Sequence, residues 1–209
     1  MMRQWFGAAL SEEMCNANIT RIDLATDVWG LQINRLVARR SDTTVNSTNY
    51  GRDGSIQTLY LGAKNSGKRF VIYDKREQQR GRVIAGRYDR PCTRIEVRLK
   101  QGLSLGELRA YANPFNGLAI RETESLEVNG HQNSLHYWEW MVAASKQDGL
   151  EATLNRIRNA RTRGAWKRKV LQRESPNWWH PDELWGGLRH AIDALDLFPP
   201  ERHIRRSRR

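Results

Sequence analysis

Thr20-Arg21-Ile22-Asp23-Leu24-Ala25-Thr26-Asp27 decides how the chain is read. Neighbouring side chains on a strand point to opposite faces. A two-residue period therefore turns Ile22 and Leu24 toward a core and leaves Arg21, Asp23 and Asp27 on the other face. Residues 93–100 repeat the device, with Ile95, Val97 and Leu99 on one side and Arg94, Glu96 and Arg98 on the other. So does Arg69-Phe70-Val71-Ile72-Tyr73-Asp74-Lys75, where Phe70 and Ile72 are apolar partners and Arg69, Val71, Tyr73 and Lys75 share the second face. A further strand, 58–61, is joined to 69–74 by the turn-like Ala63-Lys64-Asn65-Ser66-Gly67.

Around these strands the pattern changes. The first 18 residues read as a short amphipathic helix (Trp5, Phe6, Ala9, Leu10), and 31–37 as another short helix. Residues 41–57, rich in Ser, Thr, Asn, Asp and Gly, read as a loop. Ser104 with Glu107 forms a capping-box pair that opens a helix, and Asn113-Pro114 stops it near Ala112. Helices are then expected over 134–147, over 150–163 with Leu150, Leu154 and Ile157 on one stripe, and from Pro181 with Leu184, Leu188, Ile192 and Leu195 on one face. Strands first and helices later predict an α+β fold, a mainly antiparallel sheet followed by a helical C-terminal region. The expected division is a sheet domain over 1–130, a basic, Trp-rich helical region over 131–200 and a disordered basic tail over 201–209.

Composition narrows the function. The 209 residues carry 35 Lys and Arg against 23 Asp and Glu, a net charge of +12, with mean hydropathy −0.75. No apolar run approaches the ~18 residues of a membrane span, and the N-terminus has no secretory signal pattern. Cys15 and Cys92 form neither a disulfide framework nor a zinc motif, so the expected compartment is the cytoplasm. Residues 151–209 hold 14 basic and 7 acidic side chains, which concentrates the charge and points to a polyanion partner. Arg156, Arg158, Arg161, Arg163, Lys167, Arg168, Lys169 and Arg173 occur there without one acid between them. Trp166, Trp178, Trp179 and Trp185 are interleaved with or follow them. Cations with stacking aromatics fit single-stranded or distorted DNA. The competing reading buries these tryptophans, together with Trp138 and Trp140, in the core of a helical subdomain.

Two readings of the polar sheet face stay open. If strands 20–27 and 93–100 are neighbours, Asp23, Asp27 and Glu96 gather on one face, and such oxygen ligands suit Mg²⁺ or Mn²⁺. Alternatively Arg21, Arg94 and Arg98 pair with those acids. Tyr73, flanked by Arg69 and Lys75, is either a surface strand aromatic or a phenol suited to attack on a phosphodiester, helped by nearby positive charge. Gly62-Ala63-Lys64-Asn65-Ser66-Gly67-Lys68 nearly fits a phosphate-binding loop. It lacks the hydroxyl residue after Lys68 and runs into a strand, so a hairpin with Lys64 and Lys68 near its tip is expected. The histidines (131, 136, 180, 190 and 203) form no His-x-His pair.

Taken in order, Thr20–Asp27, Thr58-Leu-Tyr-Leu-Gly-Ala-Lys64, Val71-Ile-Tyr-Asp-Lys75 with Glu77, and Arg94-Ile-Glu-Val-Arg98 resemble the replication initiation factor (Rep_trans) family of rolling-circle initiators of plasmids and filamentous phages. The resemblance covers roughly residues 15–125. It implies a metal-dependent DNA endonuclease and strand transferase in which a tyrosine nicks the replication origin. That tyrosine becomes linked to the 5′ phosphate and leaves a 3′-OH for the host polymerase. By motif, Tyr73 resembles the nucleophile and Lys75 a phosphate-stabilising cation, while Asp27, Glu96 and Asp23 resemble the Mg²⁺ or Mn²⁺ site. Lys64, Lys68, Arg69, Arg94, Arg98, Arg161, Arg163, Lys167, Arg168 and Lys169 are the expected contacts to double- and single-stranded DNA. A host helicase and polymerase are the implied protein partners, and monomer and homodimer stay open. Family members carry an upstream portion with further strands, which residues 1–130 are expected to lack. A noncatalytic DNA-binding remnant and an RNA-binding protein are the alternatives.

Overall fold

Alternating apolar side chains at 22–28, 70–72 and 95–99 bury best when their strands lie side by side, and they do. In the computed structural model, which describes residues 16–41, 45–80, 89–100, 102–104, 107–108, 110–122, 135–148, 150–171 and 175–194, a five-stranded antiparallel sheet forms the centre. Its strands are β2 (Ile22–Trp29), β4 (Asn46–Tyr50), β5 (Ile56–Leu61), β6 (Lys68–Asp74) and β7 (Cys92–Leu99), in the order β2-β7-β6-β5-β4. Two small antiparallel pairs flank it: β1 (Asn18–Ile19) with β8 (Leu103–Ser104), and β3 (Leu36–Arg40) with β9 (Leu118–Glu122). Among the described residues the helices are α1 (Lys75–Gln78), α2 (Leu135–Asp148), α3 (Leu150–Asn155), α4 (Ala160–Leu171) and α5 (Pro181–Ala194). The fold is α+β, as its sequence predicts.

The principal core covers one sheet face. Phe70, Ile72, Ile95, Val97 and Leu99 are fully buried there against Leu108, Phe115 and Ile120, and Trp179 and Trp185 from the C-terminal part close it. A second core joins Val37 to Met141, Val142, Leu150, Leu154, Ile157, Trp166 and Val170. The two cores do not divide at residue 130. Trp179 and Trp185 belong to the sheet core, while Val37 of β3 belongs to the helical one.

Three expectations are corrected. Residues 31–37 hold only a single 3₁₀ turn, Ile33–Arg35, before β3. Leu36 and Ala38 face the sheet core and Val37 the helical core, so a strand between two cores carries the consecutive apolar run of a helix. The loop expected over 41–57 contains β4, an edge strand of sequence Asn-Ser-Thr-Asn-Tyr whose polar residues hide its period. The single helix expected over 150–163 is broken at 156–159, where Asn159 Oδ1 accepts from the Thr162 N–H at 2.9 Å and starts α4 afresh. Strand β9 carries no prediction of its own. The helix expected over 1–18 falls almost entirely outside the described residues, as do the tail 201–209, His131 and His203. Of the α5 stripe, Leu184 packs on the sheet core, and the side chains of Leu188 and Ile192 are not among those described.

Local chemistry holds the other predictions in place. The 62–67 segment is a hairpin turn between β5 and β6, not a phosphate loop. Gly62 sits at φ +109°, and a Cβ there would lie 2.7 Å from Arg40 Nη1 and 3.3 Å from the Lys68 carbonyl. The capping box closes both ways: Glu107 Oε2 accepts from the Ser104 N–H at 2.8 Å and Ser104 Oγ from the Glu107 N–H at 3.2 Å. Cys92 is 1% exposed, and burial first, then the charge of Asp27, pushes its thiol up to about 11. The neutral thiol's contribution is complete below its ordinary value near 9 and fades as pH rises toward about 11. Urea midpoints should therefore fall between those pH values, and fall less steeply in Cys92→Ala; an identical slope in the variant would discount the thiol.

Candidate functional site

The face of the sheet opposite the core is built by register. Asp23, Ala25 and Asp27 of β2 stand across from Arg98, Glu96 and Arg94 of β7. Those three in turn stand across from Arg69, Val71 and Tyr73 of β6, and β5 adds Tyr60 beside Val71 and Thr58 beside Tyr73. Asp23, Asp27, Arg94, Glu96, Arg98, Arg69, Val71 and Tyr73 share the face on which the period-two reading placed them, whereas Arg21 precedes β2 and Lys75 opens α1.

Tyr73 lies on the central strand β6, one residue from its end, 8% exposed, with its hydroxyl donating to Glu96 Oε2 at 3.3 Å. Burial is the main cause that raises the phenol above its ordinary value; the charge of Glu96 adds to it and Arg94 opposes it. Arg94 grips Asp27 with both prongs, Nε to Oδ1 at 2.5 Å and Nη2 to Oδ2 at 2.7 Å, which raises the guanidinium's proton affinity further. Arg98 Nε donates to Glu96 Oε1 at 2.5 Å and stands 3.9 Å from Asp23 Oδ2. Asp23 is also held by Arg21.

Arg69 differs from its neighbours. Its guanidinium lies over the Tyr60 ring, 4.1 Å from the centroid, and its Nε is buried without a hydrogen-bond partner. No acid among the described residues pairs with it. Burial lowers its proton affinity and the charge of Arg98 adds to that, yet a guanidinium stays charged at neutral pH. A pocket of about 240 Å³ opens beside these groups, lined by Thr58, Tyr60, Val71, Tyr73, Glu77 and Arg98 among others. An anion entering it meets the Arg98 guanidinium and the Tyr73 phenol, beside the carboxylates of Asp74 and Glu77.

The remaining expected contacts are placed elsewhere. Lys75 is 7% exposed, with its amine donating to Gln78 Oε1 at 2.6 Å and lying 5.7 Å from the Tyr73 ring centroid. Lys68 donates to the Asn116 carbonyl at 2.9 Å and so ties the hairpin to the segment before β9. Lys64 is exposed in the β5–β6 turn. Arg161, Arg163, Lys167, Arg168 and Lys169 belong to α4, around the second core.

Metal binding can be tested against this donor set. Among the described residues no three His, Cys, Asp or Glu side chains converge as a metal site. Asp27 is held by Arg94, Glu96 by Arg98 and Asp23 by Arg21, so the three carboxylates share a face without facing one another. This arrangement does not fit a resident Mg²⁺ or Mn²⁺.

Of the two readings of the tryptophans, burial holds for three of them. Trp166, Trp179 and Trp185 are buried at 9, 3 and 6% exposure, and Trp178 Nε1–H donates to Glu122 Oε1 at 2.5 Å. Trp166, Trp179 and Trp185 pack cores, out of reach of bases, and Trp178 is partly buried against the sheet core. Trp140, expected in a core, is 41% exposed instead. Tyr60 and Thr58 were missed as site residues, although the alternation Thr58-Leu59-Tyr60-Leu61 already puts both on one face. No protein-family model matches the chain, and no curated protein matches it.

Proposed function

We propose that this chain is a DNA nickase and strand transferase that initiates rolling-circle replication, with Tyr73 as its nucleophile. The observation that carries the reading is the Tyr73 hydroxyl hydrogen-bonded to Glu96, with Arg94 directly across from Tyr73 and Arg98 lining the same pocket. The order of motifs along the chain supports it independently.

In this reading the Tyr73 oxygen attacks the scissile phosphorus while its proton passes to Glu96. The bond from phosphorus to the 3′ oxygen breaks, the oxygen takes up a proton, and the 5′ phosphate stays on the tyrosine. A phenol with a raised pKa is a poor nucleophile unless a base takes its proton as the bond forms, and Glu96 is within reach to do so. Arg98 stabilises the charge that develops on the phosphoryl oxygens, because it lines the same pocket as the phenol, and Arg69, across from Arg98, holds the flanking backbone. Lys75 acts on the phenolate through its field at 5.7 Å and does not touch the phosphate. A divalent cation, which the resemblance implies, would have to displace Arg94 from Asp27 and Arg98 from Glu96. The charge stabilisation in this account is carried by the guanidiniums.

Glu96→Gln is the sharpest test of the proton route. Transfer of a proton to a positioned base contributes about 10²–10⁴-fold, so nicking should slow by at least about 10²-fold with DNA affinity unchanged. Nicking at the wild-type rate would remove Glu96 from the chemistry.

A second reading, a DNA-binding protein without catalysis, is favoured by one observation: Tyr73 is 8% exposed and its phenol is pushed up. Covalent attachment to DNA separates the two readings, since only the first produces it.

A further inference from the structure

The break that splits the helix expected over 150–163 creates a helix-turn-helix. Helix α3 ends at Asn155, four residues turn the chain, and α4 runs for 12 residues from Ala160. The turn is fixed at each step. The N–H groups of Arg156 and Ile157 donate to the Thr153 and Leu154 carbonyls at 3.1 and 3.0 Å, and Ile157 is buried in the helical core. Asn159 caps α4, and Arg163 Nη1 donates back to the Ile157 carbonyl at 3.2 Å. Arg163 is therefore committed to the turn.

Helix α4 has two sides. Trp166 and Val170 face the helical core, together with residues of α2 and α3. Arg161, Thr162, Ala165 and Arg168 are exposed at helical spacing on the other side, and Arg158 in the turn is exposed beside them. Arg158, Arg161 and Arg168 have no acidic partner among the described residues, and no acid occurs in α4 at all.

We infer that α4 is a docking helix for duplex DNA, seated in the major groove through the Arg158–Arg161–Arg168 side. A helix with its side chains is about 10–12 Å across and the B-DNA major groove about 12 Å wide, so the two fit. The major groove of double-stranded RNA is too deep and narrow to admit it. Single strands are gripped by exposed stacking rings, and the one aromatic of α4, Trp166, is turned into the core. Ala165 at the centre of the outer side leaves room for close approach. The inference rests on the DNA-processing reading for its partner class only, and not on Tyr73 chemistry.

The test is fluorescence anisotropy with a duplex DNA, the corresponding single strand and an RNA duplex of the same sequence, titrated with salt. Wild type should bind the DNA duplex most tightly. Arg161→Gln with Arg168→Gln should weaken that binding roughly tenfold or more and lower the salt slope by nearly 2, about 0.9 for each phosphate no longer neutralised. Arg161→Lys with Arg168→Lys should keep most of the slope. A major-groove ligand should compete with the wild-type protein and a minor-groove ligand should not. Unchanged duplex affinity in the Gln pair, tighter binding of single strands or RNA, or competition from the minor-groove ligand alone would overturn the assignment. Duplex binding through α4 by the wild-type protein without a covalent adduct would defeat only the nickase reading.

Discussion

Tyr73→Phe is expected to abolish covalent attachment to DNA and to slow nicking by at least about 10³-fold, while the protein stays folded and still binds duplex. The expectation follows from how little else the hydroxyl does. Its hydrogen bond to Glu96 is long, at 3.3 Å, and a bond of this kind contributes about 1 kcal/mol to stability. Removing it leaves Glu96 paired with Arg98, so no buried charge is stranded. The ring, which fills its place on the sheet, is kept. A large loss of activity with affinity unchanged and stability lowered by no more than about 1 kcal/mol is thus diagnostic of a nucleophile. Residual nicking near the wild-type rate would mean that another group attacks.

Trp179→Ala should be the most destabilising single change in the C-terminal part, by about 3–5 kcal/mol. The indole is 3% exposed in the sheet core, edge-on to Phe115 with ring centroids 6.0 Å apart, and its N–H reaches the Leu118 carbonyl at 3.3 Å. Truncation leaves a cavity next to a fully buried phenylalanine and strands a carbonyl acceptor. For a chain of this size the melting temperature should drop by roughly 10 °C or more. If Trp179 instead belonged to a separate helical unit, the sheet would melt as in wild type, and near-equality of the two melting curves would show that.

What could be read from the sequence was the part governed by a single strong period. Residues 22–28 and 93–99 alternate apolar and polar side chains, Phe70 and Ile72 continue the apolar side on β6, and the register follows once the strands are neighbours. The side of the sheet on which Tyr73, Glu96 and the arginines lie was legible for the same reason. Strand β3 was hidden because it is buried on both sides, and β4 because its edge position asks for no apolar residues. The turn at 156–159 was hidden by the apolar stripe of Leu150, Leu154 and Ile157, which runs through it unbroken. The pairing of acids could not be chosen from the pattern alone. Asp27 has the same strand position whether it holds a cation or Arg94, and only the packed side chains decide between them. Lys68 and Lys75 show the same limit, since charge alone does not tell an amine bound to a carbonyl from one facing a ligand.

The central claim, that Tyr73 takes a 5′ phosphate, is tested most directly by mass spectrometry of the protein after incubation with DNA of the replicon that encodes it and nuclease digestion. A nucleotide phosphate is expected on the peptide containing Tyr73 and is expected to be absent from Tyr73→Phe. An adduct on any other residue, or none at all from protein that binds the DNA, would contradict it.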